Sequence, residues 1–183
     1  MNNRVLLVDD DPNILEGYKR SLRKKFDVTT ALEGHAALEV ISRKDTFATI
    51  VSDMAMPSMN GIQFLSRVKE ISPDSVRIML TGNADLNIAI NAVNDGNIFR
   101  FLTKPCPDDL FTKTLEAGIE QYRLITAERE LLEKTLNGSI NVLTETLSLH
   151  HPEIFGNAMK LKELIRDLAK FLKISRSWEM EVA

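Results

Sequence analysis

Three consecutive carboxylates close a short apolar run in Val5-Leu6-Leu7-Val8-Asp9-Asp10-Asp11-Pro12. Carboxylates this close repel one another and raise each other's pKa unless a cation sits among them, and oxygen-only ligands favour a hard ion such as Mg2+ over zinc or copper. Helix capping accounts for one of the three, because Asp11 before Pro12 makes an N-cap followed by proline at the first helical position. Asp9 and Asp10 are left as candidate cation ligands. Other residues of metal-binding type fit less well. His150 and His151 are adjacent, so they diverge on a helix and are expected in a solvated turn before Pro152, and His35 is expected at the surface.

Five segments rich in branched aliphatics recur at regular intervals and predict strands at Arg4–Val8, Phe26–Ala31, Ala48–Ser52, Val76–Leu80 and Ile98–Leu102. Between them lie helical spacings: Ile14, Tyr18 and Leu22; Ala37, Leu38 and Ile41; Ile62 and Leu65; Leu86, Ile90 and Val93. Strands alternating with helices imply right-handed crossovers and a parallel sheet covered on both faces. Unbroken apolar runs such as Val5–Val8 suit strands buried on both sides. The runs end in polar residues, namely Asp9, Ser52 with Asp53, Thr81, and Thr103 with Lys104, and ligands of open α/β sheets bind outside those carboxyl ends.

The chain has 183 residues, 44% of them hydrophobic, enough for a domain of about 120 residues with a real core and something smaller beside it. A formal charge of −3 provides no overall basic field, so direct nucleic-acid binding by these residues is not expected. The single cysteine, Cys106, cannot form an internal disulfide, and no N-terminal apolar stretch reads as a signal peptide or membrane span. A cytoplasmic location is the expectation.

Four motifs in order, VDDDP, SDMAMPSMNG, MLTG and FLTKP, resemble the receiver domain of two-component response regulators over about residues 1–123. The resemblance implies a five-stranded, parallel, doubly wound α/β sheet of flavodoxin-like order 2-1-3-4-5, an order carried over from receiver proteins and not obtained from the residue pattern. It implies that Asp53 accepts a phosphoryl group from a sensor histidine kinase or phosphotransfer protein, with Mg2+ held by Asp10 directly, by Asp9 through water, by Asp53 and by the backbone carbonyl of Ala55. Thr81 and Lys104 are expected to meet phosphoryl oxygens, Phe101 to be the aromatic that swings inward with Thr81 on activation, and the Lys104-Pro105 bond to be cis. The residue chemistry agrees. A carboxylate is a poor nucleophile towards an anionic phosphoryl group, so Asp53 needs positive charge beside it, which Mg2+ and Lys104 supply. No residue reads as a base placed for turnover, which suits a stable acyl phosphate and argues against an enzyme.

Two departures stand out. Position 82 is Gly where receivers often have Ala, leaving room beside Thr81. Ala55 and Asn83, flanking the site, can organise an attacking water only in part. Alternative readings are a Mg2+-dependent phosphohydrolase using Asp53 as nucleophile, disfavoured because Ala55 supplies no general acid, and a phosphorylation-independent dimeric scaffold.

Beyond residue 107 the pattern becomes helical. From about Pro107 to Leu149, Phe111, Leu115, Ile119 and Tyr122 share one face, and farther on Leu132, Leu136, Ile140, Leu143 and Leu147 form a stripe that must be buried. Leu161, Leu164, Ile165, Leu168 and Leu172 are a candidate neighbour, and self-association into a homodimer is expected, with an antiparallel hairpin as the alternative. Asn137-Gly138-Ser139 predicts a break, Gly138 stopping one helix and Ser139 capping the next. Residues 124–183 are read as a helical linker and the start of a truncated output domain. The run LTETLSLHHPEIFGNAMKLKELIRDLAKFL, then WEMEVA, resembles the opening helices of HD-type output domains, some of which hydrolyse cyclic dinucleotides with bound metals. Asn157 stands where metal-binding relatives carry histidine, which implies a degenerate output, and Trp178 and Met180 are expected to have lost packing partners.

Overall fold

A computed structural model describes residues 2–43, 46–82, 98–150 and 152–171. Within the first compact unit, Met1–Arg129, the chain runs β1 (Arg4–Val8), α1 (Pro12–Leu22), β2 (Asp27–Ala31), α2 (Gly34–Ser42), β3 (Thr49–Asp53), α3 (Gly61–Ile71), β4 (Val76–Thr81) and β5 (Arg100–Thr103). The long helix α4 (Asp108–His150) follows. The strands form one parallel sheet of order β2-β1-β3-β4-β5, as expected. All five predicted strands are present, with ends shifted by two residues at most. The spacing of Leu86, Ile90 and Val93 lies outside the described residues, as do Asn83, Trp178 and Met180.

Side-chain alternation splits the core between the two faces of the sheet. Leu6, Val8, Ile50 and Met79 pack with Ala37, Ile41, Phe64, Leu65 and Val68 from α2 and α3. Val5, Leu7, Val51, Ile78 and Leu80 pack with Leu15 and Leu22 of α1 and Phe111 and Leu115 of α4. The helices start where the sequence provides caps. Asp11 accepts a hydrogen bond from the Asn13 amide at 2.8 Å, and Asn60 forms a capping box with Gln63. At Gly118, α4 rides so close to the sheet that a Cβ would lie 2.9 Å from the Thr49 hydroxyl, which explains glycine inside a helix that otherwise favours side chains.

The predicted break near Gly138 is not found, for α4 is continuous to His150. One internal glycine costs only about 1 kcal/mol against alanine, and the leucine-rich turns on either side outweigh it. Ser139, expected to cap a new helix, donates to the Thr135 carbonyl four residues back. In the second unit, Glu130–Ala183, α4 ends at His150 and α5 (Pro152–Phe171) begins two residues later. Among the described residues the expected burial of the apolar stripe is not found: Leu132, Leu136, Ile140 and Leu143 on α4, like Leu161, Leu164 and Leu168 on α5, are more than half exposed.

Candidate functional site

Parallel register brings four polar strand ends to one edge of the sheet. Val8 lies opposite Ser52, Asp53 opposite Leu80 and Thr81 opposite Thr103. Asp9, Asp53, Thr81 and Lys104 therefore end or follow four adjacent strands. Asp9 and Asp53 are almost fully buried, 3% and 6% exposed, and a buried carboxylate is costly unless paired.

Lys104 is the pairing group. Its ammonium lies 2.7 Å from Asp9 Oδ2 and 2.5 Å from Asp53 Oδ1, bridging the two carboxylates. The remaining oxygens are held by backbone amides two residues on: Asp11 N donates to Asp9 Oδ1 at 3.0 Å, and Ala55 N to Asp53 Oδ2 at 2.9 Å. Burial pulls the Lys104 pKa down, but the hydrogen bonds and charges of Asp53 and Asp9 outweigh it and leave it raised, so the ammonium stays charged at neutral pH. The Lys104-Pro105 peptide bond is cis.

Asp10, expected as a direct metal ligand, is exposed, and it lines an open cavity of about 790 Å3 with Pro12, Leu15, Thr30, Leu32, Glu33 and Pro57. Among the described residues no three His, Cys, Asp or Glu side chains converge into a metal site by themselves. The donor set still suits a hard cation, because two buried carboxylates, Asp9 and Asp53, share the one ammonium of Lys104, Asp10 follows Asp9 directly in the chain, and the excess is negative and all-oxygen.

Thr81 is fully buried, and its hydroxyl donates to the Gly82 carbonyl at 3.1 Å and lies 3.5 Å from Met54 Sδ. Among the described residues other than its chain neighbours, no atom lies within 4 Å of a Cβ built on Gly82. Phe101 is half-buried, aligned with Met79 across the strands and packed against the core on that face. Ala55 is exposed, and its methyl group offers no proton.

The sequence pattern assigns Gly61 no role beyond its turn. A Cβ there would lie 2.2 Å from the Asp53 backbone oxygen, and the Gly61 amide donates to the Met54 carbonyl at 3.0 Å. Gly61 thus lets α3 start directly against the backbone of Asp53. The Asn60-Gly61 pair is the available signal, but it says turn and nothing about what the turn touches. Helical spacing marks Tyr18 only as a helix-face residue. Its ring meets Phe111 at a centroid distance of 4.4 Å, and burial first, then Cys106, raises its phenol pKa.

The family model of the response regulator receiver domain matches residues 5–116. The hydrogenase transcriptional regulatory protein HoxA of Bradyrhizobium diazoefficiens is 32% identical over 120 residues, 66% of this chain and 24% of that protein, so the chain spans about a quarter of that relative's length. A structure described as adenylate cyclase from Rhodopirellula baltica is 48% identical with a TM-score of 0.72, covering 73% of this chain and 99% of that one. The signal receiver domain of an HD domain-containing protein from Pseudomonas fluorescens Pf-5 is 29% identical with a TM-score of 0.63, covering 70% and 93%.

Proposed function

The chain belongs to the response regulator receiver domain family, and from that premise we propose that Asp53 is its phosphoacceptor, charged by the phosphohistidine of a sensor kinase or phosphotransfer protein. The single observation that carries this reading is the Asp9–Lys104–Asp53 bridge at the carboxyl edge of the sheet. Mg2+ would be held by Asp9, Asp10, Asp53 and the Ala55 carbonyl, and when bound it supplies positive charge to the phosphoryl oxygens.

The protein's own residues do the rest. Asp53 Oδ1 forms the bond to phosphorus while the donor's imidazole nitrogen leaves, and Lys104 turns from the carboxylates to the new phosphoryl oxygens. The Ala55 amide holds Asp53 Oδ2 and fixes the carboxylate plane. Thr81 gives up Gly82 O for a phosphoryl oxygen, and Phe101 follows into the space it leaves. That exchange is the switch.

We read residues 1–123 as the receiver and 124–183 as a helical linker with the start of an HD-type output that pairs with a second copy. The exposed leucines of α4 and α5 support the pairing. Asn157, exposed on α5, stands where a ligand histidine would be needed, so incubation with cyclic diguanylate and Mg2+, Mn2+ or Fe2+ is expected to yield no linear product by chromatography. Metal-dependent turnover that survives Asp53→Asn would contradict that reading of the tail.

The reading of the receiver is tested by intact-mass measurement with a small phosphodonor such as phosphoramidate. One phosphate per chain is expected with Mg2+ and none in excess chelator. Equal labelling with and without chelator would remove the metal from the account.

A further inference from the structure

Thr81 is fully buried at the end of β4, and its hydroxyl has one proton for two acceptors, the Gly82 carbonyl at 3.1 Å and the thioether of Met54 at 3.5 Å. Met54 follows Asp53 directly in the chain. The residue joined to Asp53 thus meets the hydroxyl that is read above as moving to a phosphoryl oxygen. Backbone bonds fix Met54 on both sides: its amide donates to the Leu80 carbonyl at 2.9 Å, and its carbonyl accepts from the Gly61 amide at 3.0 Å. Leu80 precedes Thr81, so the first of these bonds sets Met54 beside Thr81 across the strand ends. Met54 is 8% exposed, and at that burial water competes little for the Thr81 proton.

The surroundings suit a hold that gives way. Met54, Met56, Met59 and Met79, four of the seven methionines in the chain, are buried in one cluster on this face of the sheet, and Phe101 packs against it. Unbranched thioethers rearrange more readily than branched aliphatics, so an aromatic ring can move among them without meeting a rigid wall. Sulfur is also a weak acceptor. A phosphoryl oxygen is charged, and hydrogen bonds to charged acceptors are roughly twice as strong as neutral ones. The Thr81 hydroxyl therefore has a weak side-chain partner in the resting protein and a stronger one once Asp53 carries a phosphoryl group.

We propose that Met54 is a positioning residue of the switch: its thioether holds the Thr81 hydroxyl in the resting arrangement and so sets how readily Thr81 turns to a phosphoryl oxygen. This rests on the reading of Thr81 given above. Met54→Leu nearly conserves volume, a swap that cores tolerate, and removes the acceptor. In the presence of Mg2+ the full-length variant is expected to bind beryllofluoride, a phosphoryl mimic, about three- to fivefold more tightly than the parent, because the resting form has lost one weak hydrogen bond. Met54→Ile, which also lacks the acceptor, is expected to behave the same way, and circular dichroism with urea unfolding checks that each variant is folded. Thr81→Val keeps the side-chain shape without the hydroxyl and should bind the mimic more weakly. In that background Met54→Leu should leave the affinity unchanged, since the partner it acts through is gone. An unchanged or lower affinity in Met54→Leu and Met54→Ile overturns the proposal. So does an equal gain with and without the hydroxyl, since a packing effect does not need Thr81. A Thr81→Val protein that binds beryllofluoride as tightly as the parent removes the switch role of Thr81 and takes Met54 with it. Weakened binding by Thr81→Val beside an unresponsive Met54→Leu counts against Met54 alone.

Discussion

Replacing Lys104 by Met is expected to cost about 2–3 kcal/mol of stability at pH 7 and to slow labelling from a phosphodonor roughly a hundredfold. Asp9 and Asp53 are almost fully buried, and the lysine is the cation bonded to both. Removing one partner of a buried ionic group leaves the other charges uncompensated, a loss of about 3–5 kcal/mol when burial is complete. The Lys104 side chain is 25% exposed, so water offsets part of it. The sign of the pH dependence follows from Lys104, whose pKa Asp53 and Asp9 hold above its ordinary value despite burial: the stability that the bridge contributes is fully present below the unfolded lysine value and is lost as pH rises through the folded one. The gap between parent and variant is therefore expected to persist at neutral pH and to narrow in strongly alkaline solution. Urea titrations at neutral and strongly alkaline pH check this. A gap that does not change with pH would mean that the loss comes from packing and not from the ion pairs.

Gly61→Ala is the second large effect. The new methyl group would meet the Asp53 carbonyl oxygen at 2.2 Å and the Met54 Cα at 3.0 Å, and these are backbone atoms that cannot rotate away. Overpacking typically costs about 1–3 kcal/mol where side chains can adjust. With backbone on both sides the expected loss is about 3 kcal/mol or more, a fall in melting temperature of roughly 10 °C. Because the displaced atoms carry the acceptor, labelling should fall even at temperatures where the variant is fully folded. Unchanged melting and labelling would show that the β3–α3 turn accommodates a side chain.

These effects could be read from sequence only in part. The strands were legible because branched aliphatic runs end sharply at polar residues, and Asp9, Asp53, Thr81 and Lys104 were legible because a parallel sheet gathers such ends on one edge. Register decided the rest. Nothing local says that Lys104 bridges Asp9 and Asp53, or that Gly61 lies against Asp53, since both contacts join separate segments. Asp10 shows the reverse limit, for the residue next to buried Asp9 is exposed on an open cavity. At Gly138 a local rule misled, because helix propensity is a weak prior and continuity of the flanking turns prevailed. The apolar stripe of α4 was legible as a pattern, whereas its exposure in the chain was not.

The most direct test of the central claim is the position of the phosphate. After labelling with phosphoramidate and Mg2+, borohydride reduction converts an aspartyl phosphate to homoserine, and peptide mapping locates it. The account predicts homoserine at position 53, with no labelled peptide from Asp53→Asn. Homoserine at Asp9 or Asp10, or undiminished labelling of Asp53→Asn, would contradict it.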